Sequence, residues 1–144
     1  VLPAELILRT DRGEQRLLSY ESLSVGGFES GTMLGSGGFI VLDETACIVK
    51  NLLTFARFYH HESCGQCSPC REGTGWMEKI LQRIENGRGT SKDIDLLVHI
   101  SKHIEGNTIC PLGDAAAWPV ASAIRHFRQE FEDHVKLQKC PLSR

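Results

Sequence analysis

From residue 43 onward, apolar positions recur every three to four residues, the spacing of a helix that buries one face. Ile48, Leu52, Phe55 and Tyr59 form one stripe, widened by Val49, Leu53 and Ala56, behind Asp43 or Thr45 as candidate caps. A second helix is expected from near Glu72, carrying Trp76, Ile80 and Ile84 inward until Asn86-Gly87-Arg88-Gly89 stops it. Thr90 or Ser91 then caps a third, with Ile94, Leu97, Ile100 and Ile104 facing the core and Gly106-Asn107 ending it. The fourth is predicted over about Asp114 to Val135 on Val120, Ile124, Phe127 and Phe131, with Pro119 near its start or kinking it. Four amphipathic helices on short connections make a bundle. The closing stretch, Lys136 to Arg144, is polar and reads as a frayed tail.

Residues 1–42 follow another pattern. Short apolar runs at Leu6 to Leu8 and Leu17 to Tyr20 flank Asp11-Arg12-Gly13, as two strands joined by a turn would. Between Ser24 and Gly38 stand six glycines (Gly26, Gly27, Gly31, Gly35, Gly37 and Gly38), before the apolar run Phe39 to Leu42. Such density suits either a loop or close backbone approach to a partner or cofactor. The spacing is not that of a dinucleotide or phosphate loop at a strand-to-helix junction, so no nucleotide site is assigned. The predicted organisation is thus mainly α: a β segment and Gly-rich linker over 1–42, a helical domain over 43–135, and a flexible tail over 136–144.

Bulk properties narrow the function. A chain of 144 residues with 41% hydrophobic content can bury a real core, and its net charge of -2, with mixed signs along the chain, offers no basic field for nucleic acid. No apolar run approaches the roughly 20 residues that cross a bilayer. The opening VLPAELILRTDRGEQ carries acid and base too early for a signal peptide, so a soluble chain without direct membrane insertion is expected. Six cysteines could staple a secreted scaffold, but a core of this size needs no staples and three of the thiols are tightly clustered. A metal in a reducing compartment is the better reading.

Cys64, Cys67 and Cys70 stand at three-residue intervals in ESCGQCSPCREGT, and Cys110 precedes Pro111 forty positions after Cys70. This spacing suits a 4Fe-4S cluster: a short loop wraps three iron corners and a distant segment closes the fourth. The helix order brings both loops to one end of the bundle and leads each into a helix N-terminus, whose dipole favours an anionic cluster. Gly65, Gly73 and Gly75 let backbone amides approach the sulfurs, and Arg71 adds a compensating charge. Two other cysteines compete for the fourth place. Cys47, among apolar neighbours at a helix start, reads as a small core residue. Cys140 also precedes a proline but belongs to the tail, which leaves Cys110 as the expected fourth ligand. Structural zinc on the same four thiolates is the alternative, although zinc sites usually pair CxxC with CxxC or with histidines. His99 and His103 share a helix face but lack the glutamate of HExxH, and read as a solvated face; His60-His61 near a helix C-terminus has an electrostatic explanation. No Ser/His/Asp or Cys/His set and no paired carboxylates stand out, which favours electron transfer over acid-base catalysis.

The segments ESCGQCSPCREG, IEGNTICPLGDAAAWPV and IRHFRQEFE closely resemble the C-terminal iron-sulfur region of the NADH-oxidising flavoprotein subunit of respiratory complex I, and LGSGGFIVLDE upstream is similar too. The resemblance covers about residues 20 to 135. Diaphorase subunits of NAD-reducing hydrogenases and NAD-dependent formate dehydrogenases share the cysteine framework, but Gln66 and the CPLGDAAAWPV wording look more like complex I. The resemblance implies that Cys64, Cys67, Cys70 and Cys110 hold one 4Fe-4S cluster. In the family, NADH gives a hydride to FMN, and the cluster takes electrons singly from the flavin for passage toward quinone. The FMN and NADH fold lies outside these residues, so the implied role is an electron-relay module that does not oxidise NADH alone. The β segment then reads as the end of a ubiquitin-like (β-grasp) domain. Implied partners are other hydrophilic-arm subunits, at the cytoplasmic face of a bacterial inner membrane or on the mitochondrial matrix side. The alternatives are a diaphorase subunit of a hydrogenase or formate dehydrogenase, and a zinc-stabilised docking domain.

Overall fold

A computed structural model describes residues 37–142, together with Pro3, Ser19 and Gly35. The expected β segment and most of the glycine-rich stretch lie outside the described residues, among which there is no strand. Four helices follow in order: α1 (Ile48–Glu62), α2 (Ser68–Glu85), α3 (Ser91–Ile104) and α4 (Leu112–Leu137). They belong to a compact unit that begins at Glu44.

Local chemistry sets the ends. α1 is capped by Cys47 rather than Asp43 or Thr45; its thiol accepts from the Lys50 N–H at 3.3 Å. α2 starts at Ser68, earlier than Glu72, because Pro69 falls in the first turn, where a missing N–H costs no helical bond. α3 opens with a capping box between Thr90 and Asp93, as its sequence signature requires. α4 runs two residues beyond the expected span at each end. It contains Pro119, yet its non-helical backbone lies at Phe127, so the kink is not at the proline.

Packing closes the bundle. α1 lies against α2 and α4, α2 also against α3 and α4, and α3 against α4. Leu52, Leu81, Ile84, Leu97 and Phe131 are fully enclosed between these faces, each such burial contributing roughly 1.5–3 kcal/mol. Trp76, expected inward, is 53% exposed. Gly73, Met77, Ile80 and Ile84 form the true inner stripe of α2, and Trp76 sits at its edge. Gly73 is part of that stripe because a side chain there would strike Ile104 of α3.

Connections this short make successive helices run back along one another. Residues 63–67 and 105–111 therefore share one end of the bundle, and residues 86–90 share the other with the start of α1 and the end of α4. At that second end the chain after α4 turns back through Gln138, whose φ is 52°. Gly87, at φ 70°, lies directly under the Gln138 carbonyl, where a Cβ would overlap it.

Candidate metal centre

The cysteine loop begins where α1 stops. Gly65 takes φ 79°, a left-handed turn that glycine adopts without strain, and it bends the chain between Cys64 and Cys67. Cys67 is the N-cap of α2 and leaves its thiol unused for capping; Cys70 lies in the first turn and is buried. Cys64 and Cys110 are exposed, and none of the six cysteines is in a disulfide. The two loops touch: the Ile109 N–H donates to Cys67 Sγ at 3.4 Å. Residues 67 and 109 are thus brought together across 42 positions of sequence. The four expected ligands do not crowd within single-ion distance of one another: among the described residues, Cys64, Cys67, Cys70 and Cys110 form no group whose ligand atoms all lie within 4.8 Å.

Side chains the sequence left unassigned hold this end in shape. Ser63 Oγ lies 3.2 Å from Cys70 Sγ and accepts from the Gly65 N–H at 3.4 Å. Its position two residues before a glycine is the recognisable signal of a serine turn. The Arg71 guanidinium donates to the Gly65 carbonyl at 2.7 Å and to Glu72 at 2.9 Å, so it ties the loop as well as adding charge. On the opposing loop, Asp114 Oδ1 accepts from the Gly106 N–H at 2.7 Å, and the Thr108 hydroxyl donates to the Cys110 carbonyl at 3.0 Å. Gly113 is buried against Thr108. The donor set fits a thiolate-ligated cluster: free thiols from two loops, a backbone N–H donating to Cys67 Sγ, a hydroxyl beside Cys70 Sγ, and the N-termini of α2 and α4 alongside.

Cys47 and Cys140 occupy surroundings unlike those expected. Cys47 is buried, but its Sγ lies 3.3 Å from His134 Nε2 and 3.8 Å from Glu85 Oε2. Cys140, expected in a frayed tail, is only 8% exposed. One ligand atom from each of Cys47, Glu85, His134 and Cys140 falls within 4.8 Å of the others. Burial, with the Cys140 thiol and the Glu85 charge adding to it, pushes the Cys47 thiol up to about 12. His99 and His103, by contrast, are exposed as expected of a solvated face.

Fold and donor set together define a helical domain whose two cysteine-bearing loops touch at one end. Residues 50–134 match the family described as the NADH-ubiquinone oxidoreductase-F iron-sulfur binding region, and the chain belongs to that family. It is 52% identical over 106 residues to the F subunit of NADH-quinone oxidoreductase from Rickettsia typhi, covering 74% of this chain and 25% of that protein. The corresponding F subunit from Mycobacterium bovis is 47% identical over 134 residues, covering 93% of this chain and 29% of the relative. The chain thus spans about a quarter of the length of the curated relatives it matches. A crystal structure of an NAD+-reducing [NiFe]-hydrogenase in the H2-reduced state superposes with a TM-score of 0.61 at 36% identity, over 70% of this chain and 17% of that one.

Proposed function

We propose that this chain is an electron-relay module of an NADH-quinone oxidoreductase in which Cys64, Cys67, Cys70 and Cys110 hold one 4Fe-4S cluster. The observation that carries the reading is the contact of the two cysteine loops at Ile109 and Cys67, in a chain whose family is an iron-sulfur binding region. When bound, such a cluster supplies reversible one-electron transfer. The protein's part is to position and tune. The Ile109 N–H and the Ser63 hydroxyl face two of the sulfurs, and hydrogen bonds to cluster sulfurs raise reduction potential. Arg71 holds the loop backbone, and Asp114 fixes the approach to Cys110.

The chain spans about a quarter of the length of its relatives, and the resemblance puts the FMN and NADH sites outside that stretch, so these residues alone are expected not to oxidise NADH. Ile109 is exposed at the cysteine end, and the exposed Trp76 lines a depression of about 510 Å³ together with Pro69, Ile100 and Ile104. Apolar surface of this kind suits cover by neighbouring subunits. No helix among the described residues is long and apolar enough to cross a membrane, which suits a peripheral place in the assembly. The likeness to the hydrogenase supports a diaphorase role as the second reading, behind the higher identity to the quinone-linked relatives.

Anaerobic reconstitution with iron and sulfide tests the assignment. The chain is expected to take up four irons and to show a paramagnetic spectrum at low temperature after reduction. Cys110→Ser is expected to lose or convert that signal, while Cys140→Ser keeps it. A chain that binds no iron and shows no reducible centre, or the reverse order of the two variants, overturns the proposal.

A further inference from the structure

We propose that Cys47, Glu85, His134 and Cys140 form a second, mononuclear site for a cation of the Zn2+ class, at the end of the bundle opposite the cysteine loop. Distance separates the two places. α2 begins immediately after Cys67 and ends at Glu85, and its 18 residues make a helix about 27 Å long. Both thiols of the new group, Cys47 and Cys140, lie outside the residues 50–134 that the family match covers.

The geometry is that of one ion. Zinc bonds of about 2.0–2.3 Å in a tetrahedron put neighbouring ligand atoms about 3.3–3.8 Å apart. Cys47 Sγ to His134 Nε2 is 3.3 Å, His134 Nε2 to Glu85 Oε2 is 3.3 Å, and Cys47 Sγ to Glu85 Oε2 is 3.8 Å. Cys140 completes the group within 4.8 Å. Two thiolates, an imidazole and a carboxylate suit a borderline-soft divalent ion rather than magnesium or calcium, which take oxygen ligands.

The surroundings prepare each donor. His134 is 1% exposed, and its Nδ1 lies 2.7 Å from the Glu130 carbonyl. Nδ1 is thereby turned toward that carbonyl and Nε2 toward the other three ligands, the arrangement that orients metal-binding histidines. Cys47 stands at the N-terminus of α1, and its Sγ accepts from the Lys50 N–H at 3.3 Å, which holds the sulfur in place beside the other ligands. A depression of about 390 Å³ opens onto Cys47, Glu85 and Cys140 and gives a path of entry. With four protein ligands the site is closed, so its role is structural: it joins the start of α1, the end of α2, the last turns of α4 and the returning tail.

Cobalt(II) titration of the reduced, iron-loaded chain reads the site directly. Uptake is expected to saturate at one cobalt per chain, with the visible bands of tetrahedral thiolate coordination and displacement by zinc. Cys140→Ser, which alters a ligand outside the helices, is expected to abolish saturable binding with the iron content unchanged. Cys110→Ser is expected to leave the cobalt spectrum intact while altering the iron, which separates this site from the cluster reading. Glu85→Gln keeps the carboxamide shape should the cysteine variant not fold, and is expected to shift the bands and weaken cobalt retention. A featureless or octahedral spectrum, a spectrum that survives Cys140→Ser, or recovery of Cys47 and Cys140 as a disulfide from reducing preparation overturns the proposal.

Discussion

At the residue scale, Asp93 shows how partners decide the state of an enclosed charge. Burial alone raises its pKa, but the Thr90 N–H at 2.7 Å, the Arg83 guanidinium and the Thr90 hydroxyl at 3.0 Å outweigh it and hold the carboxyl below the usual range. A carboxylate depressed on folding stabilises the native state above its unfolded pKa of about 3.9, and that contribution fades only as pH falls through the lower folded value. Asp93→Ala is therefore expected to cost about 0.5–2 kcal/mol, the range for a lost cap. The loss is expected to be the same at pH 8 as at pH 5.5. Denaturant unfolding of both chains at the two values checks this; a cost that shrinks already by pH 5.5 contradicts the depressed carboxyl.

At the scale of elements, the junction between the Cys110 loop and α4 is the most tightly specified piece of the site. Gly113 lies against Thr108, whose branched side chain cannot swing away as the end of a longer one could, and Thr108 also donates to the Cys110 carbonyl. Gly113→Ala is expected to displace Thr108 and the loop, lowering stability by about 1–3 kcal/mol as overpacking does. Iron is expected to be retained less well on dilution into chelator than in the parent chain, and a variant with parental iron retention refutes this. The helices themselves were legible, because Ile94, Leu97, Ile100 and Ile104 repeat at helical spacing and all prove buried. Trp76 was misplaced since 76–80–84 and 73–77–80–84 are equally helical series, and only contact with α3 selects the one containing Gly73. The early start of α2 was missed because Pro69 reads as a loop residue until its first-turn position is known.

At the scale of the molecule, one end was legible and the other was not. Cys64, Cys67 and Cys70 announce themselves by local spacing, whereas Cys47, Glu85, His134 and Cys140 come from four separated segments and share no motif. Both ends close long loops, so a bound metal at either is expected to restrict local opening. Between them lies a continuous core that includes Leu52, Leu81, Leu97 and Phe131, enough for the bundle to persist when one end is released. Loss of the cluster is accordingly expected to act locally, since opening proceeds in cooperative units rather than uniformly. Hydrogen exchange before and after iron chelation under reducing conditions provides the measurement. Faster exchange is expected over residues 63–72 and 105–115, with residues 83–95 and 131–140 unchanged. Selective removal of the second metal is expected to give the mirror pattern. Uniform acceleration along the whole chain on iron removal would mean that the cluster holds the entire bundle rather than one end.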